Sequence, residues 1–145
     1  MPNAYATLKS MLRPVAVIES IAAVLAYDER TVMPATAAGV RAEQLSFIAE
    51  LHHQRFTDPR VGELIAEAES QAPREPADGD EQVNLREWRR AYDRAVKLPA
   101  EFVAEMTKTT SLAEHAWAEA RKQSSFAMFL PWLERIVDLK RREAA

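Results

Sequence analysis

The sequence predicts an all-α protein of six or seven helices in an antiparallel bundle or array, without a sheet. Glycine occurs only 3 times in 145 residues, while alanine, leucine, glutamate and arginine, which favour helix, are frequent. Apolar residues recur at the three- and four-residue spacing of amphipathic helices. β-Branched residues are scattered and never alternate with polar ones over a run, so no strand is predicted.

Composition and charge favour a globular protein without a nucleic-acid or membrane partner. Hydrophobic residues make up 48% of the chain and charged residues 28%, and the formal net charge is −3. A negative chain attracts neither nucleic acid nor an anionic membrane surface over long range. The chain contains no cysteine, which fits a reducing compartment. We therefore expect one soluble helical domain over residues 1–145, located in the cytoplasm.

The N-terminal part of the chain shows neither a signal-peptide pattern nor a convincing membrane span. It lacks a basic stretch followed by a long apolar run. The most apolar segment, residues 15–26, is interrupted by Glu19 and Ser20. It is also shorter than the roughly 20 residues that a helix needs to cross a bilayer. We expect no membrane association.

Two helices are predicted before residue 30. The first covers residues 4–12, and Pro14 suits the first turn of the second, where a missing N–H has no consequence. The second helix should end near Asp28 or Glu29, before the turn at Met33 and Pro34. Its predicted core face is Ile18, Ile21, Ala22 and Leu25.

The third and fourth helices have clearer start signals. Thr36 is the predicted N-cap of a helix over residues 37–54, with an inward stripe of Leu45, Ile48 and His52. Asp58 followed by Pro59 is an N-cap with proline at the first helical position. That fourth helix should run to about Ser70 and bury Val61, Leu64, Ile65 and Ala68. Prolines, glycine and charges mark residues 71–80 as a linker.

Three helices are predicted in the C-terminal half. The fifth, about residues 81–97, should bury Leu85, Trp88, Tyr92 and Val96. Pro99 opens a long sixth helix through about residue 123, with an inward stripe of Phe102, Met106, Thr109 or Thr110, Ala113, Ala116, Trp117 and Ala120. Ser124 or Ser125 should cap the last helix, and Pro131 should kink or split it. Its predicted apolar face is Phe126, Phe129, Leu130, Leu133, Ile136 and Val137.

Metal binding has only weak support in the sequence. The chain has no H-E-x-x-H motif, which would place two imidazoles and a glutamate base on one helix face. Glu50 and His53 form a single E-x-x-H, whereas a di-iron bundle needs two such pairs. His115 and Glu119 lie four residues apart and could clamp a cation or simply pair. These four residues are weak metal candidates, and we expect no cofactor in this chain.

Catalytic and nucleic-acid functions are also poorly supported. There is no G-x-S-x-G elbow and no glycine-rich phosphate loop. Ser111 precedes His115 by four residues, but the sequence indicates no third partner, so no catalytic residue is predicted. A basic stripe could contact phosphate, although Glu87 and Asp93 should pair with its members at helical spacing. That stripe consists of Arg86, Arg90, Arg94 and Lys97.

Several segments, in the same order along nearly the whole chain, resemble the N-terminal region of the carboxypeptidase Taq family of zinc metallocarboxypeptidases. They include Y-D-E-R-T-V-M-P at 27–34, R-A-E-Q-L at 41–45, L-H-H at 51–53, T-D-P at 57–59, N-L-R-E at 84–87, L-P-A-E at 98–101, H-A-W-A-E-A-R at 115–121 and F-A-M-F at 126–129. The residues that match the family motif, and for which the resemblance implies structural roles, are Asp28, Thr31, Met33, Pro34, Arg41, Gln44, His115, Trp117 and Arg121.

The departures from the family pattern bear on function. Tyr27 stands where the family typically has tryptophan, and Arg30 where it has an acidic residue. The sequence stops before the region that in the family carries H-E-x-x-H and the third zinc ligand, so no zinc ligand or general base can be assigned. The resemblance implies a nearly all-α fold whose corresponding helices cover a long substrate groove and contribute to dimer contacts.

The sequence therefore favours a non-catalytic lid or scaffold region that associates with itself or with a protein partner. Trp132 is the predicted exposed apolar contact. The chain alone is not expected to be an enzyme. The alternative is one part of a split or assembled metallocarboxypeptidase whose zinc site is on another chain. Nucleic-acid binding through the basic stripe is the least favoured hypothesis.

Overall fold

A computed structural model describes residues 3–72 and 79–145, and within these ranges the chain is helical and contains no strand. The described helices are α1 (Ala4–Thr31), α2 (Ala38–Phe56), α3 (Pro59–Gln71), α4 (Asp80–Ala95), α5 (Ala100–Lys122) and α6 (Phe126–Ala144). A 3-10 turn, Ala35–Ala37, lies between α1 and α2. The predicted all-α class is confirmed, and the described residues form six helices where six or seven were predicted.

The first helix is continuous, and the predicted break at Pro14 is wrong. Proline has no N–H to donate to the carbonyl four residues earlier, and in a helix interior it costs about 3 kcal/mol. Leu8 and Leu12 before the proline and Val15 after it are all buried on one face. Burial of this face on both sides of Pro14 outweighs the loss of a single helical hydrogen bond.

The continuity of α1 also changes the expectation about membrane spans. By length and composition α1, with 28 residues, could cross a bilayer, because its most apolar window has a mean hydropathy of 1.4. The apolar segment at residues 15–26 therefore belongs to a helix that is long enough to span a bilayer, contrary to the expectation. The same test is passed by core helices of soluble proteins and by signal sequences, so this property alone does not indicate a membrane protein.

The chain divides into two compact units. The first unit comprises Met1–Glu19 and Leu51–Pro99, and the second comprises Ser20–Glu50 and Ala100–Ala145. Each unit therefore contains part of α1 and part of α2.

The first unit is built around one apolar core. Its buried residues are Ala4, Leu8, Leu12 and Val15 from α1, Val61, Leu64, Ile65 and Ala68 from α3, and Leu85 from α4. The predicted inward face of α3 is confirmed, and so is its start, because the Asp58 carboxylate accepts a hydrogen bond from the Arg60 N–H at 2.8 Å. Trp88 and Tyr92 pack against this core, but Val96 is exposed, contrary to prediction.

In the predicted linker, residues 73–78 lie outside the described residues, while Gln71 ends α3 and Asp80 begins α4. Thr36 lies in the 3-10 turn, so α2 begins two residues after the predicted N-cap. On α2 the structure buries Ala42 and His53, whereas the predicted stripe of Leu45, Ile48 and His52 is only half-buried.

In the second unit, α5 and α6 pack along each other. The buried residues of α5 are Phe102, Thr109, Ser111, Ala113 and Ala120, and Leu139 is buried on α6. Trp117, Phe126, Leu130 and Val137 were predicted to face inward and are exposed. Pro131 does not split α6. Ile21, on the predicted core face of α1, is likewise exposed. Helical periodicity shows which residues share a side of a helix, but it carries no information on whether a neighbour covers that side.

Candidate functional site

Three consecutive polar residues near the C-terminus of α1 bind the two helices that α1 contacts at this point, α2 and α5. Asp28 binds α2, while Glu29 and Arg30 bind α5. We call this cluster the junction; its residues are Asp28, Glu29, Arg30, Arg41, Gln44, Ser111, Glu114 and His115. Polar groups at these positions connect the end of one apolar helix to two others, which makes the junction the best-defined polar site in the described chain.

Arg41 connects α2 to α1. Its guanidinium donates to the Asp28 carboxylate at 2.6 Å, to the Gln44 side-chain oxygen at 3.0 Å and to the backbone carbonyl of Leu25. The Arg41 side chain is largely buried, whereas that of Asp28 is partly exposed. A planar guanidinium with several fixed donors can bind three acceptors at once, which a lysine cannot do in the same geometry.

The C-terminal end of α1 is closed by hydrogen bonds from the residues that follow it. The N–H groups of Val32 and Met33 both donate to the carbonyl of Asp28, each at 3.0 Å. The Thr31 hydroxyl donates to the carbonyl of Tyr27 at 2.7 Å. Pro34 then accepts from the Ala37 N–H at 2.9 Å, which forms the 3-10 turn. Thr31 therefore ends α1, and Met33 and Pro34 lie in the connection between α1 and α2.

Glu29 is the buried centre of the junction, with 8% of its surface exposed. The Ser111 hydroxyl donates to Glu29 Oε1 at 2.6 Å, and His115 Nε2 lies 3.0 Å from the same oxygen. Because an ionised carboxylate only accepts, His115 donates from Nε2 in this arrangement. Two donors compensate for the removal of the carboxylate from water, which would otherwise be strongly unfavourable.

Arg30 and Glu114 form a more exposed pair beside the buried centre. The guanidinium binds both carboxylate oxygens, at 2.9 and 3.1 Å. The hydrogen bond from Arg30 lowers the pKa of Glu114, although partial burial of the carboxyl opposes this shift. Because both side chains are well exposed, solvent screening leaves such a pair worth no more than about 1 kcal/mol.

The Glu29 cluster holds helices together and lacks the arrangement of a hydrolase. In a catalytic triad the serine hydroxyl donates to the histidine, and the acid orients the histidine from its far side. Here Ser111 and His115 both donate hydrogen bonds to the same oxygen of Glu29. His115 is therefore not placed to act as a base on the Ser111 hydroxyl. Glu29 was not predicted as a site residue, although it lies four residues beyond Leu25 on the predicted core face of α1.

The four residues that the sequence offers as weak metal ligands, Glu50, His53, His115 and Glu119, form other contacts. Buried His53 places Nε2 2.8 Å from the carbonyl of Leu98. Glu119 accepts from Gln123 at 2.7 Å and lies 3.6 Å from the Lys122 ammonium, so its predicted pairing with His115 is wrong. Among the described residues, Glu50 included, no group of three or more histidine, aspartate or glutamate side chains could hold a metal ion. The described part of this chain therefore offers no ligand set for the zinc ion that the family resemblance implies.

The other predicted site residues form surface contacts. Arg121 lies over the exposed ring of Trp117, 5.4 Å from its centroid. In the basic region of α4, Arg89 pairs with Glu69 at 3.0 Å and with Asp93 at 3.6 Å. Asp93 therefore pairs with Arg89 and not with Lys97, its predicted partner. Glu87 likewise pairs with Arg86 at 3.4 Å, where Arg90 was the predicted partner.

Two groups of exposed apolar residues lie on the helices that the junction connects. On α1, Ile21, Val24 and Tyr27 follow each other at three-residue steps, and Tyr27 is 70% exposed. On α2, Val40 and Phe47 lie seven residues apart, hence on one side, and Phe47 is 66% exposed. We call these five residues the α1 and α2 apolar stripes. Trp132, the predicted exposed contact, is half-buried.

Comparison with known proteins gives a consistent result over nearly the whole chain. The family model for carboxypeptidase Taq (M32) metallopeptidases matches residues 7–145. Thermostable carboxypeptidase 1 of Thermus thermophilus is 38% identical over 141 residues, which are 97% of this chain and 28% of that protein. The chain thus spans little more than a quarter of the length of this curated relative.

Solved structures of related proteins have the same fold over this region. The structure of Pyrococcus furiosus carboxypeptidase superposes with a TM-score of 0.73 at 27% identity, covering 99% of this chain and 28% of that one. The crystal structure of BsuCP superposes with a TM-score of 0.85 at 24% identity, covering 97% of this chain and 28% of that one. At that identity the second likeness bears on the fold alone.

Proposed function

The chain belongs to the carboxypeptidase Taq (M32) metallopeptidase family, and we propose that it is a non-catalytic scaffold region that packs against a larger catalytic body of the family. The activity, release of C-terminal residues from peptides, and the zinc that it requires belong to that body. The scaffold supplies helices and an apolar contact surface. In this proposal the protein is soluble and cytoplasmic.

The observation that carries this proposal is the exposure of the apolar stripes. Exposed large apolar side chains grouped on one side of a helix favour an interaction surface, and large aromatic side chains contribute most to binding when they are buried in an interface. Tyr27 and Phe47 are large, and each is about two-thirds exposed. The matched relatives are several times longer than this chain, so a family-length fold has a body of suitable size to cover these residues.

The polar contacts of the junction support the same proposal, because they fix the helices that carry the apolar stripes. Arg41 and the buried Glu29 cluster determine how α1, α2 and α5 are held within the second unit. Neither group has the geometry of a nucleophile, and neither forms part of a metal-ligand set. Their role is to present the α1 and α2 stripes in a fixed arrangement, which lowers the entropic cost of docking.

The proposal can be tested by reconstitution. The partner is the Thermus relative's polypeptide without the segment that aligns with this chain. Both are purified separately, mixed with zinc, and analysed by light scattering after gel filtration. We expect a one-to-one complex that contains zinc and releases C-terminal residues from a peptide faster than the partner alone. Absence of any complex, with this chain remaining monomeric, would contradict the proposal.

A matched pair of variants locates the contact. Tyr27→Ser combined with Phe47→Ser should weaken the complex at least tenfold, since two aromatic anchors are lost. Phe126→Ser, on α6, removes an aromatic side chain that is equally exposed but lies outside the stripes and should have little effect. If the wild-type chain instead forms a dimer through Tyr27 and Phe47, the stripes serve self-association, and the proposed catalytic body is wrong.

A further inference from the structure

The first unit contains a cavity that the proposed scaffold role does not use. It has a volume of about 530 Å³ and is bounded by α1, α2 and α4. Buried Leu12 and Val15 form its apolar base on α1, and Phe56 and Trp88 supply aromatic rings from α2 and α4. This volume and this apolar lining are typical of small-molecule sites, which usually measure about 300–1,000 Å³. We call it the α1–α4 cavity.

The rings on the walls of the cavity are held by neighbouring aromatic side chains. His52 stacks on Phe56 with ring centroids 6.0 Å apart, and Tyr92 meets the edge of Phe56 at 6.2 Å. Trp88 lies 5.8 Å from Tyr5. A flat ring system entering the cavity would therefore meet aromatic faces and edges that are already in place, the arrangement in which aromatic pairs gain most.

His52 contributes an uncharged wall at neutral pH. Burial lowers the pKa of His52, the nearby His53 adds to this shift, and the Glu19 carboxylate partly opposes it. A neutral imidazole stacked on Phe56 behaves as a third aromatic surface. Charge at the cavity is therefore confined to the residues at its edge.

The charged edge of the cavity is divided along α1. Lys9 and Arg13 lie one turn apart, and Glu19 follows six residues after Arg13, about 9 Å along a helix axis. Within the described chain neither Lys9 nor Arg13 forms an ion pair, and the Lys9 ammonium lies over the Tyr5 ring at 5.5 Å. One end of the cavity therefore carries two cations that have no carboxylate partner among the residues that the structure describes.

From this geometry we propose that the α1–α4 cavity binds a small aromatic carboxylate. Its ring system would lie against Phe56 and Trp88, and its carboxylate would lie at the end formed by Lys9 and Arg13, away from Glu19. Apolar contact supplies the affinity, and the two cations select an anion over a neutral or cationic molecule of the same shape.

The test uses 2-naphthoate as ligand and 2-naphthylmethanol as its neutral counterpart, with binding measured by calorimetry. We expect naphthoate to bind one site and the alcohol to bind at least fivefold more weakly. Arg13→Gln and Lys9→Gln should each weaken naphthoate binding roughly two- to fivefold, in the range of a partly exposed charge contact. Glu19→Gln should not weaken it, and Arg86→Gln, a charge removed elsewhere on α4, should leave it unchanged.

A second variant tests the location without removing any contact. Ala91 lines the cavity and is exposed, so Ala91→Phe should fill the space, leave the fold intact and abolish binding. Ala66→Phe, at an exposed position on α3, is the control and should bind normally. Bound naphthoate should also shift the NMR signals of the His52 ring. Failure of naphthoate to bind, equal binding of the alcohol, or unchanged binding by Ala91→Phe would each overturn the proposal.

Discussion

The two units of the chain are stabilised in different ways. The first unit buries large aliphatic side chains almost completely, among them Leu8, Val61 and Ile65. Of the four buried polar residues among those that the structure describes, the second unit contains three, Glu29, Thr109 and Ser111, while several of its large apolar side chains stay exposed. The second unit also buries apolar side chains, among them Phe102 and Leu139, but it combines them with buried polar contacts and leaves apolar surface available for a partner.

Further contacts between helices of the second unit are also polar. Ser46 of α2 donates to the Ala104 carbonyl of α5 at 3.0 Å. Glu105 of α5 binds Arg142 at 3.2 Å and Arg135 at 3.5 Å, both from α6. Such contacts fix helix orientation but add little net free energy where solvent reaches them. The comparison therefore predicts that the largest losses of stability come from the core of the first unit.

The largest expected effect is that of Ile65→Ala. Ile65 is fully buried in the core of the first unit, so the substitution removes buried methyl groups and leaves a cavity. We expect the free energy of unfolding to fall by about 3–4 kcal/mol, measured by urea denaturation. Val24→Ala, at an exposed position of the α1 stripe, should change it by less than about 0.5 kcal/mol. Equal effects of the two substitutions would refute the contrast between core and stripe.

Glu29→Ala should cause the second-largest loss in the free energy of unfolding. It removes the acceptor for Ser111 and His115 and leaves two donors in the junction without their partner. We expect a loss of about 2 kcal/mol in the same urea experiment. Ser111→Ala should be milder, about 1 kcal/mol, because Glu29 keeps its contact with His115. If Glu29→Ala were neutral, the junction would not stabilise the second unit.

Arg41→Ala should have an intermediate effect that Arg30→Ala does not share. Arg41 binds three acceptors from a largely buried position, so its loss should lower the free energy of unfolding by about 1–2 kcal/mol. Arg41→Lys should not restore it, since an ammonium cannot reproduce the geometry. Arg30→Ala, which removes an exposed pair, should cost less than about 0.5 kcal/mol. A larger loss of stability for Arg30→Ala than for Arg41→Ala would contradict this, because the exposed ion pair would then stabilise the junction more than the buried contacts of Arg41.

The smallest expected effect is a pH dependence from His52 in the first unit. Because burial lowers the pKa of His52 in the folded chain, the unfolded chain binds this proton at a higher pH. The His52 contribution to stability is therefore complete above about pH 6.5 and is lost as the pH falls through that value towards the folded pKa. The difference in denaturation midpoint between wild type and His52→Gln should shrink over this interval on acidification. A constant difference would contradict the assigned burial.

The sequence predicted the elements whose signals are local. The Asp58–Pro59 start of α3 and its four buried residues follow from a cap, a proline and a regular apolar face, and all are present. The continuity of α1 through Pro14 could not be predicted in this way, because it depends on core residues contributed by α3 and α4. Sequence rules identify Pro14 as a helix breaker, but they do not show the packing against α3 and α4 that offsets its cost.

Predicting the exposed surface and the junction required knowledge of partners distant in sequence. Trp117 and Phe126 have the spacing of core residues and are exposed, whereas Trp132 was expected outside and is half-buried. Glu29 has the spacing of a core residue and is buried, but its two partners lie more than 80 residues away. Helical periodicity gives the face of a residue, and only the fold shows which neighbour covers it.

The most direct test of the proposed docking is amide hydrogen exchange, measured on the chain alone and with the catalytic body of the Thermus relative. Protection should rise on binding over residues 21–27 and 40–47, which carry the apolar stripes, and stay unchanged in α3, whose core is complete within the first unit. A rise confined to α3 or α6, or no rise at all in a confirmed complex, would contradict docking through the stripes.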